Sequence, residues 1–157
     1  DLAGGTGRYG HLAQEKNAKQ VINCDNSPEM LAHCFIPQKT LATSESIPLR
    51  SSSADLVLCG LATGHLTTLK PTMCEISRVL KPGGLALISD FHPYQSLSGA
   101  KRTFQFEGKT LAVEHHIHHL SDYFIAGEFC QLQLTGIKEP AYQGDVPVVV
   151  VFRFMKK

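Results

Sequence analysis

Hydrophobic residues in the first ninety positions follow two spacings that alternate along the chain. Spacings of three and four residues predict helices over residues 8–16, 27–34 and 68–80. Short apolar runs predict strands over residues 20–25, 40–43, 54–61 and 85–90. The run at 54–61 is apolar at nearly every position, which is typical of a strand covered on both faces of a parallel sheet. This alternation of helices and strands predicts an α/β fold with a mostly parallel sheet.

The pattern changes after Asp90. Residues 91–110 are irregular, residues 111–119 alternate between polar and apolar, and Ser121 is expected to cap a helix that ends near Gln131. Two further strands are predicted at 132–138 and 146–154, joined by a short segment rich in turn residues. Because a parallel connection needs about a dozen residues or more, we expect these two strands to form an antiparallel hairpin.

Composition narrows the class of protein. The 157 residues are enough for one hydrophobic core, so we expect a single domain over residues 1–157. The net charge of +1 does not indicate a nucleic-acid or membrane surface, and no apolar run approaches the ~20 residues of a membrane span. The five cysteines form no C-x-x-C pair and no signal-peptide pattern is present. We therefore expect reduced thiols in a cytoplasmic protein.

A glycine cluster at the start of the chain is the first candidate for chemistry. Residues 1–10 read DLAGGTGRYG, so an acid is followed by four glycines and then by a helical pattern. Glycine lacks a Cβ, which lets the backbone turn sharply and approach a ligand, and the following helix offers unpaired N–H groups. The cluster predicts a binding site for a nucleotide-like ligand at the end of a strand. A plain turn between a strand and a helix is the simpler alternative.

Two ligand classes fit such a loop. Residues 5–10 satisfy G-x-G-x-x-G and Asp25 follows Gly5 by 20 residues, which is the spacing of a dinucleotide-binding site. Asp1 favours a different ligand, because its carboxylate would repel a pyrophosphate and would pair with an ammonium group. S-adenosylmethionine (SAM) has an ammonium, a ribose and an adenine, and it carries no phosphate.

Four stretches of the chain together resemble class I SAM-dependent methyltransferases. They are residues 1–7 (DLAGGTG), 21–31 (VINCDNSPEML), 44–49 with 53–57 (SESIPL and SADLV), and 75–84 (EISRVLKPGG). Each stretch is weakly specific alone, but their joint order over residues 1–90 is specific. The chain is most similar to the branch of quinone-biosynthesis and malonyl carrier-protein methyltransferases. The resemblance implies a Rossmann-like doubly wound sheet, with residues 1–90 as the cofactor-binding half and 91–157 as the substrate-side segment and terminal hairpin.

The start of the chain departs from this pattern. The motif requires a strand that leads into Asp1, and the resemblance also implies an N-terminal helix that covers the cofactor. We expect that first strand and helix to be missing from this chain, which would then be a fragment or would start unusually late.

The resemblance implies that the glycine loop holds the methionine part of SAM through Asp1, Ala3, Gly5 and Gly7. Ala3 stands where the family usually has a glycine, which is a mild change if φ at this residue is negative. Thr43 stands where an aspartate often binds the adenine amino group, so that contact is not expected here.

The same resemblance implies the remaining cofactor contacts. Asp25 would accept hydrogen bonds from the ribose hydroxyls, with Asn26 beside the adenine. A turn after the strand is the alternative role for Asp25. Ser44 and Glu45 would line the adenine, and Leu61 would lie behind the cofactor.

Histidines are the candidates for acid–base chemistry, which is needed only if the methyl acceptor must lose a proton. His92 follows the strand at 85–90, and His118 lies in the histidine-rich segment of the substrate-side half. These two are the predicted catalytic residues, and surface or packing positions are the alternative for each. His65, His115, His116 and His119 are weaker candidates. On a strand His116, His118 and Glu114 would share a face, but no cysteine pair lies near, so we do not expect a metal.

Three functions are compatible with these observations. The first is methyl transfer from SAM to a small-molecule acceptor. The second is NAD-dependent oxidoreduction, which rests on the G-x-G-x-x-G spacing alone. The third is binding by an inactive methyltransferase-like protein. The pattern indicates neither the acceptor atom nor an oligomeric state.

Overall fold

The first two residues lie between two groups of strands and join them into one layer. In the computed structural model, which describes residues 1–99, 103–106, 108–141 and 144–157, β1 (Asn23–Asp25) pairs in parallel with β2 (Lys39–Leu41). Leu2 forms a parallel bridge with Cys24 and donates its amide to Leu58 O at 2.8 Å. Residues 1–2 therefore connect β1 to the larger sheet, which contains Leu58.

The larger sheet has four strands in the order β3-β4-β8-β7. They are β3 (Ala54–Gly60), β4 (Leu80–Phe91), β7 (Leu132–Lys138) and β8 (Val149–Lys156). β3 and β4 run parallel, whereas β8 is antiparallel to both β4 and β7. The predicted doubly wound α/β sheet with an antiparallel terminal hairpin is thus confirmed.

Helices and a separate hairpin complete the described structure. The helices are α1 (Arg8–Glu15), α2 (Pro28–Ala32), α3 (Lys70–Val79), α4 (Pro93–Leu97) and α5 (Leu120–Phe129). A 3-10 turn covers Thr63–His65, and β5 (Thr103–Phe106) pairs antiparallel with β6 (Lys109–Ala112). No helix within these described ranges is long and apolar enough to cross a bilayer.

One face of the four-stranded sheet holds most of the core, against α3 and α5. The side chains that project from this face are fully buried, namely Ala86, Ile88, Val150, Phe152 and Phe154. Because successive side chains of a strand alternate between faces, Leu85 and Leu87 project from the opposite face and stay partly exposed.

Several element boundaries differ from the sequence predictions. β4 begins at Leu80 rather than at residue 85, because Leu80 pairs with Ala54 before the register shifts to the pair Leu56–Leu85. β1 is shorter than predicted, since only residues 23–25 have a partner in β2. Residues 91–110 were expected to be irregular, but they contain α4, β5 and the start of β6.

The helix expected after Ser121 begins earlier. His119 is the residue before α5, and its backbone N–H donates to Asp122 Oδ2 at 2.7 Å. Asp122 therefore closes the first turn with the carboxylate that a helix N-terminus favours.

The expectation that all cysteines are reduced is wrong for two of them. Cys74 on α3 and Cys130 at the end of α5 form a disulfide, while Cys24, Cys34 and Cys59 are free and buried. The two bonded residues are 56 positions apart, and only the packing of α3 against α5 brings them together. Local spacing such as C-x-x-C cannot detect a pair of this kind.

Candidate functional site

The loops that carry the predicted site residues lie at one edge of the sheet. Leu2 pairs in parallel with β1, β3 pairs in parallel with β4, and Gly60 at the end of β3 lies against Tyr9 of α1, where a Cβ would come within 2.2 Å of the Tyr9 ring. The chain therefore leaves all four segments on the same side, which we call the carboxyl edge. In open α/β sheets, ligands bind at this edge.

Asp1 lies beneath the glycine loop with one carboxylate oxygen engaged and the other unpaired. Its Oδ2 accepts a hydrogen bond from Gly10 N at 2.7 Å, which fastens the start of α1 to the strand end. Its Oδ1 is buried and has no hydrogen-bond partner within the described ranges of the chain. An ionised oxygen without a partner in a buried position is costly, so the site favours a cationic or hydrogen-bond-donating ligand group here.

Glycine is required at position 4 by the crowding between Asp1 and Asn23. A Cβ on Gly4 would lie 2.2 Å from Asn23 Oδ1 and 2.6 Å from Asp1 Cγ. Asn23 of β1 is fully buried and donates from Nδ2 to Gly5 O at 2.9 Å. This strand therefore helps to fix the conformation of the glycine loop.

Ala3 adopts a backbone conformation that favours glycine. Its φ is +50°, close to the +55° of Gly5. Alanine would be a mild replacement for glycine here only if φ were negative, so the replacement is not mild. For an L-residue with a Cβ this left-handed conformation costs about 1–2 kcal/mol. The loop that the sequence analysis singled out is therefore strained at the one position where it departs from the family pattern.

Asp25 is buried and its carboxylate is held by two backbone amides. Oδ2 accepts from Gly5 N at 2.7 Å and Oδ1 accepts from Ser27 N at 2.9 Å. Each carboxylate oxygen retains a second lone pair, which can accept a ligand hydroxyl. The neighbouring Asn26 is exposed. Asp25 thus joins the glycine loop to the start of α2 and presents a fixed pair of acceptors.

The segment that holds Ser44 and Glu45 is fastened to α3. Ser44 Oγ lies 2.8 Å from Thr72 Oγ1, whereas the Glu45 side chain is exposed. The stronger attachment comes from Glu75, whose Oε2 accepts from Ile47 N at 2.8 Å. Sequence reasoning did not predict that Thr72 or Glu75 supports this loop.

Arg78 completes this attachment. Its guanidinium donates to Ile47 O and Leu49 O, both at 2.8 Å, and forms a bidentate pair with Glu75 at 2.6 and 2.8 Å. The hydrogen bond from Arg78 holds the pKa of Glu75 below its ordinary value. The three-residue spacing of Glu75 and Arg78 on a helix was the available signal for this pair.

Leu61 begins the loop after β3 with a strained backbone. Its φ is +58°, and its amide donates to Ser89 O at 2.7 Å. The side chain is partly exposed at the carboxyl edge. A bulky residue in this conformation persists only where neighbouring contacts impose it, and such residues cluster at functional sites.

A buried hydrogen-bond network fixes the rest of this loop. Asp90, at the end of β4, accepts from Thr63 Oγ1 at 2.5 Å and from the backbone N–H of Gly64 and Phe91. Because the Thr63 hydroxyl proton goes to Asp90, the hydroxyl of Tyr123 donates to Thr63 Oγ1 at 2.6 Å. The network ties the loop after β3 to β4 and α5, and no local sequence motif indicates it.

Burial keeps the neighbours of this network neutral. It raises the pKa of the Cys59 thiol to about 12, with the Asp90 charge adding to the effect. Burial also raises the pKa of the Tyr123 hydroxyl. Both groups therefore act as packing or hydrogen-bonding groups rather than as bases.

His92, predicted as catalytic, is fully buried at the start of α4 with both ring nitrogens engaged. Nδ1 accepts from Tyr94 N at 3.2 Å, so Nε2 carries the proton and donates to Glu139 Oε1 at 2.8 Å. This arrangement caps α4 and attaches it to the segment after β7. It gives His92 no ring nitrogen directed at a cleft.

His118, the second predicted catalytic residue, lies in a cleft between the start of α3 and α5. The cleft has a volume of about 580 Å³ and its lining includes Thr68, His116 and Phe129. His118 Nε2 donates to Leu66 O at 2.9 Å. Among the described residues, no three His, Cys, Asp or Glu side chains are grouped closely enough to hold a metal ion.

A second cleft of about 690 Å³ lies where β4 ends, and we call it the β4-end cleft. Its lining includes Phe91, Gln95, Ala112, Val113, His115 and Ile117. The predicted catalytic pair thus does not meet in one place, and the histidine of the β4-end cleft was only a weaker candidate.

A parallel sheet with a glycine-rich loop after one strand and an acid at the end of the next defines the class of nucleoside-cofactor-binding α/β proteins. The chain belongs to the SAM-dependent methyltransferase family. The family model described as "Methyltransferase domain" matches residues 1–88, which is more than half of the 157 positions. The resemblance stated from the sequence is therefore confirmed, and the G-x-G-x-x-G spacing belongs to a SAM-type rather than a dinucleotide-type loop.

Two curated relatives of the chain are also named as methyltransferases. The chain is 33% identical over 97 residues to the ubiquinone/menaquinone biosynthesis C-methyltransferase UbiE of Rubrivivax gelatinosus, covering 58% of this chain and 38% of that protein. It is 31% identical over 126 residues to the malonyl-[acyl-carrier protein] O-methyltransferase of a Marinomonas species, covering 75% of this chain and 45% of that protein. The chain thus spans less than half the length of these relatives.

The fold also matches solved structures. An S-adenosylmethionine dependent methyltransferase from Mesorhizobium loti superposes with a TM-score of 0.81 at 18% identity, covering 99% of this chain and 89% of that one. At this identity the match shows the Rossmann-like methyltransferase fold alone.

Proposed function

We propose that this chain binds SAM at the glycine loop and transfers its methyl group to a small-molecule acceptor. The observation that carries the proposal is the buried, unpartnered Oδ1 of Asp1 beneath the loop. The ammonium group of SAM is the kind of partner that this oxygen lacks, whereas a pyrophosphate would be repelled.

The residues of the loop fit the other parts of SAM. Asp25 offers two fixed carboxylate oxygens for the ribose hydroxyls. Gly5 has a φ of +55°, and a Cβ there would lie 2.8 Å from Met30 Cε, so glycine suits this turn of the loop. Asn26, Ser44 and Glu45 are proposed to border the adenine. Ala3, Gly7 and Leu61 are proposed to complete the pocket on the methionine side.

SAM supplies a methyl group on a positively charged sulfur, so the protein's main task is to align the acceptor and exclude water. The loop fixed by Asp90 and the end of β4 are proposed to do this at the carboxyl edge. A general base is needed only for an acceptor that must lose a proton. His92 is buried and both of its ring nitrogens are hydrogen-bonded, which supports a helix-capping role for it rather than a role as that base.

The names of the relatives bear on the acceptor. One acts in ubiquinone and menaquinone biosynthesis and another on a malonyl group held by a carrier protein. They support a small or carrier-bound acceptor for this chain. A cytoplasmic location stays a prediction, and the disulfide between Cys74 and Cys130 is the observation against it.

Isothermal titration tests the proposal with three ligands: S-adenosylhomocysteine, methylthioadenosine, which lacks the amino-acid part, and NADH. We expect saturable binding of the first two and none of NADH. Asp1→Asn should weaken the binding of S-adenosylhomocysteine by about tenfold and leave the binding of methylthioadenosine unchanged, because only the former carries the ammonium. Asp25→Asn should weaken both, because both contain the ribose.

The outcomes separate the competing functions. NADH binding without S-adenosylhomocysteine binding would favour the oxidoreductase. A cooperatively folded chain that binds none of the three ligands would favour the inactive homologue. Asp55→Asn is the control for the loss of one negative charge. Asp55 is exposed and lies near the start of β3, at the end of the strand opposite the carboxyl edge.

A further inference from the structure

The cleft that holds His118 is lined by three segments of the chain, each of which the structure describes in full. They are residues 67–70, 116–118 and 122–129, and we call the space between them the α3–α5 cleft. Its volume of about 580 Å³ lies in the range of small-molecule sites, roughly 300–1,000 Å³. The described lining shares no residue with the proposed cofactor contacts, so a ligand here would occupy a second site.

The apolar part of this cleft is an exposed strip along one side of α5. Ile125 and Phe129 stand four residues apart on the helix, so they are neighbours on its surface, and each is 64% exposed. Ile117, from the segment before α5, lines the same cleft and is 45% exposed. Covering such a strip releases water from apolar surface, which favours a ligand with an apolar body.

A lysine ammonium lies over the aromatic end of this strip. Nζ of Lys70, the first residue of α3, is 3.4 Å from the centroid of the Phe129 ring. A cation–π contact of this kind keeps the ammonium beside the apolar surface. No carboxylate of the described residues forms an ion pair with Lys70. Its charge is therefore available to an anion that binds in the cleft.

The acidic group of the cleft is already engaged by the fold. Asp122 accepts a hydrogen bond from the backbone N–H of His119 at 2.7 Å and stands in the first turn of α5. The positive end of the helix dipole stabilises a carboxylate at this position. Asp122 precedes Phe129 by seven residues, or about 10 Å along the helix axis. The acid and the lysine thus lie at opposite ends of the strip.

Neutral hydroxyl groups accompany Lys70 in the lining. Thr67 and Thr68 belong to the segment that leads into α3, and both are exposed. A carboxylate has about four lone-pair sites, so it can accept from an ammonium and from hydroxyls together. Lys70 is the one unpaired Lys or Arg in the described lining, which suits a single negative charge better than the double charge of a phosphate.

We propose that the α3–α5 cleft binds an unbranched aliphatic carboxylate. The carboxylate lies on the Lys70 ammonium, and the hydrocarbon chain lies along Ile117 and Ile125. Binding is non-covalent, and the site lies apart from the proposed cofactor loop. The inference therefore goes beyond the proposed function and does not require it.

Isothermal titration of the chain with octanoate tests this inference. The ligand controls are 1-octanol, which lacks the charge, octylammonium, which has the opposite charge, and acetate, which lacks the chain. We expect octanoate to bind saturably and 1-octanol to bind about tenfold more weakly, because the charge-assisted contact with Lys70 is lost. Octylammonium and acetate should bind more weakly still.

Two variants separate the charge from the apolar strip. Lys70→Met should weaken octanoate binding by about tenfold and leave 1-octanol binding unchanged. Ile125→Ser should weaken the binding of both ligands by about fivefold, because both carry the chain. The matched controls are Lys19→Met and Leu12→Ser, at an exposed lysine and an exposed apolar side chain outside the cleft, and neither should change octanoate binding.

Unaltered melting temperatures establish that the variants are folded. Octanoate that binds Lys70→Met as tightly as the unmodified chain would overturn the inference. Tighter binding of octylammonium or of octyl phosphate than of octanoate, or no binding of octanoate, would overturn it as well. S-adenosylhomocysteine affinity is measured separately, so its absence counts against the proposed function and not against this cleft.

Sedimentation with phosphatidylglycerol vesicles distinguishes a single bound chain from a lipid surface. We expect the protein to stay in the supernatant. Sedimentation with the vesicles that Ile125→Ser abolishes would show that the strip contacts a membrane instead, and would overturn the assignment of a single carboxylate ligand.

Discussion

At the scale of single residues, two of the five described non-glycine residues with positive φ lie where a ligand is proposed to bind. Ala3 and Leu61 are both non-glycine residues with positive φ, and both stand at the carboxyl edge. Each costs about 1–2 kcal/mol relative to a relaxed backbone. The fold tolerates this cost because neighbouring hydrogen bonds, such as that from Leu61 to Ser89, fix the loop geometry.

Ala3→Gly should stabilise the protein by about 0.5–1 kcal/mol. The substitution removes about 1–2 kcal/mol of left-handed strain, while the greater freedom of glycine in the unfolded chain takes back about 0.5–1 kcal/mol. Equilibrium denaturation in urea measures the difference.

Ala13→Gly is the matched control, because Ala13 lies inside α1 with helical geometry. The same chemical change there should destabilise the protein by about 0.5–1 kcal/mol. Equal effects at the two positions would contradict the assignment of strain to Ala3.

At the scale of elements, α3 serves as the support of the loop proposed to border the adenine. Glu75 and Arg78 stand one turn apart on this helix and together bind the amide and carbonyl of Ile47 and the carbonyl of Leu49. The Glu75 side chain is 19% exposed, so this pair is better shielded than a surface ion pair. α3, which comes later in the sequence, thus fixes the conformation of a loop that has no regular secondary structure.

Glu75→Gln should destabilise the protein by about 1–2 kcal/mol at pH 7, because charge-assisted hydrogen bonds to Arg78 are lost. The Arg78 hydrogen bond holds the folded-state pKa of Glu75 below its ordinary value. This stability is therefore complete above the unfolded-state pKa of about 4.3 and is lost as the pH falls through the lower folded-state value. Denaturation curves from pH 7 to 3 measure the difference between the two proteins.

We expect that difference to be constant down to about pH 5 and to shrink below about pH 4. Asp55→Asn is the control, since Asp55 pairs with Lys81 but its side chain is 83% exposed, and its effect should be under about 1 kcal/mol. A Glu75 effect no larger than the Asp55 effect would show that α3 does not hold the loop through this pair.

At the scale of the whole molecule, a disulfide links the two helices that cover the core. The bond between Cys74 and Cys130 closes a sequence separation of 56 residues and joins α3 to the end of α5. α3 holds the loop proposed to border the adenine, and α5 carries Tyr123 of the buried network around Asp90.

Reduction should lower the stability by about 2–4 kcal/mol, the usual contribution of a disulfide that closes a loop of this length. We expect the melting temperature to fall on addition of a phosphine reductant. The variant with both Cys74→Ala and Cys130→Ala should be insensitive to the reductant. Three reactive thiols in the unfolded oxidised protein and five after reduction would establish the bond, and five in both conditions would contradict it.

The places of Asp1, Gly5 and Asp25 at the carboxyl edge were predictable from the sequence because their determinants are local. Asp1, Gly5 and Asp25 belong to short motifs whose spacing encodes a turn and a strand end. The place of His115 in the β4-end cleft was not predictable, because it depends on the packing of an extended segment on Gly64. The network around Asp90 was equally hidden, since Thr63, which donates to Asp90, and Tyr123, which bonds Thr63, come from two other segments of the chain.

The central position of β8 sets the order of events during synthesis. β8 is the last of the four strands to leave the ribosome, yet it lies between β4 and β7 and carries the fully buried Val150, Phe152 and Phe154. Until it arrives, β4 has an unpaired apolar edge of the kind that invites aggregation. The core of this sheet therefore cannot form from the residues that precede β8, and it closes only once β8 pairs with both β4 and β7.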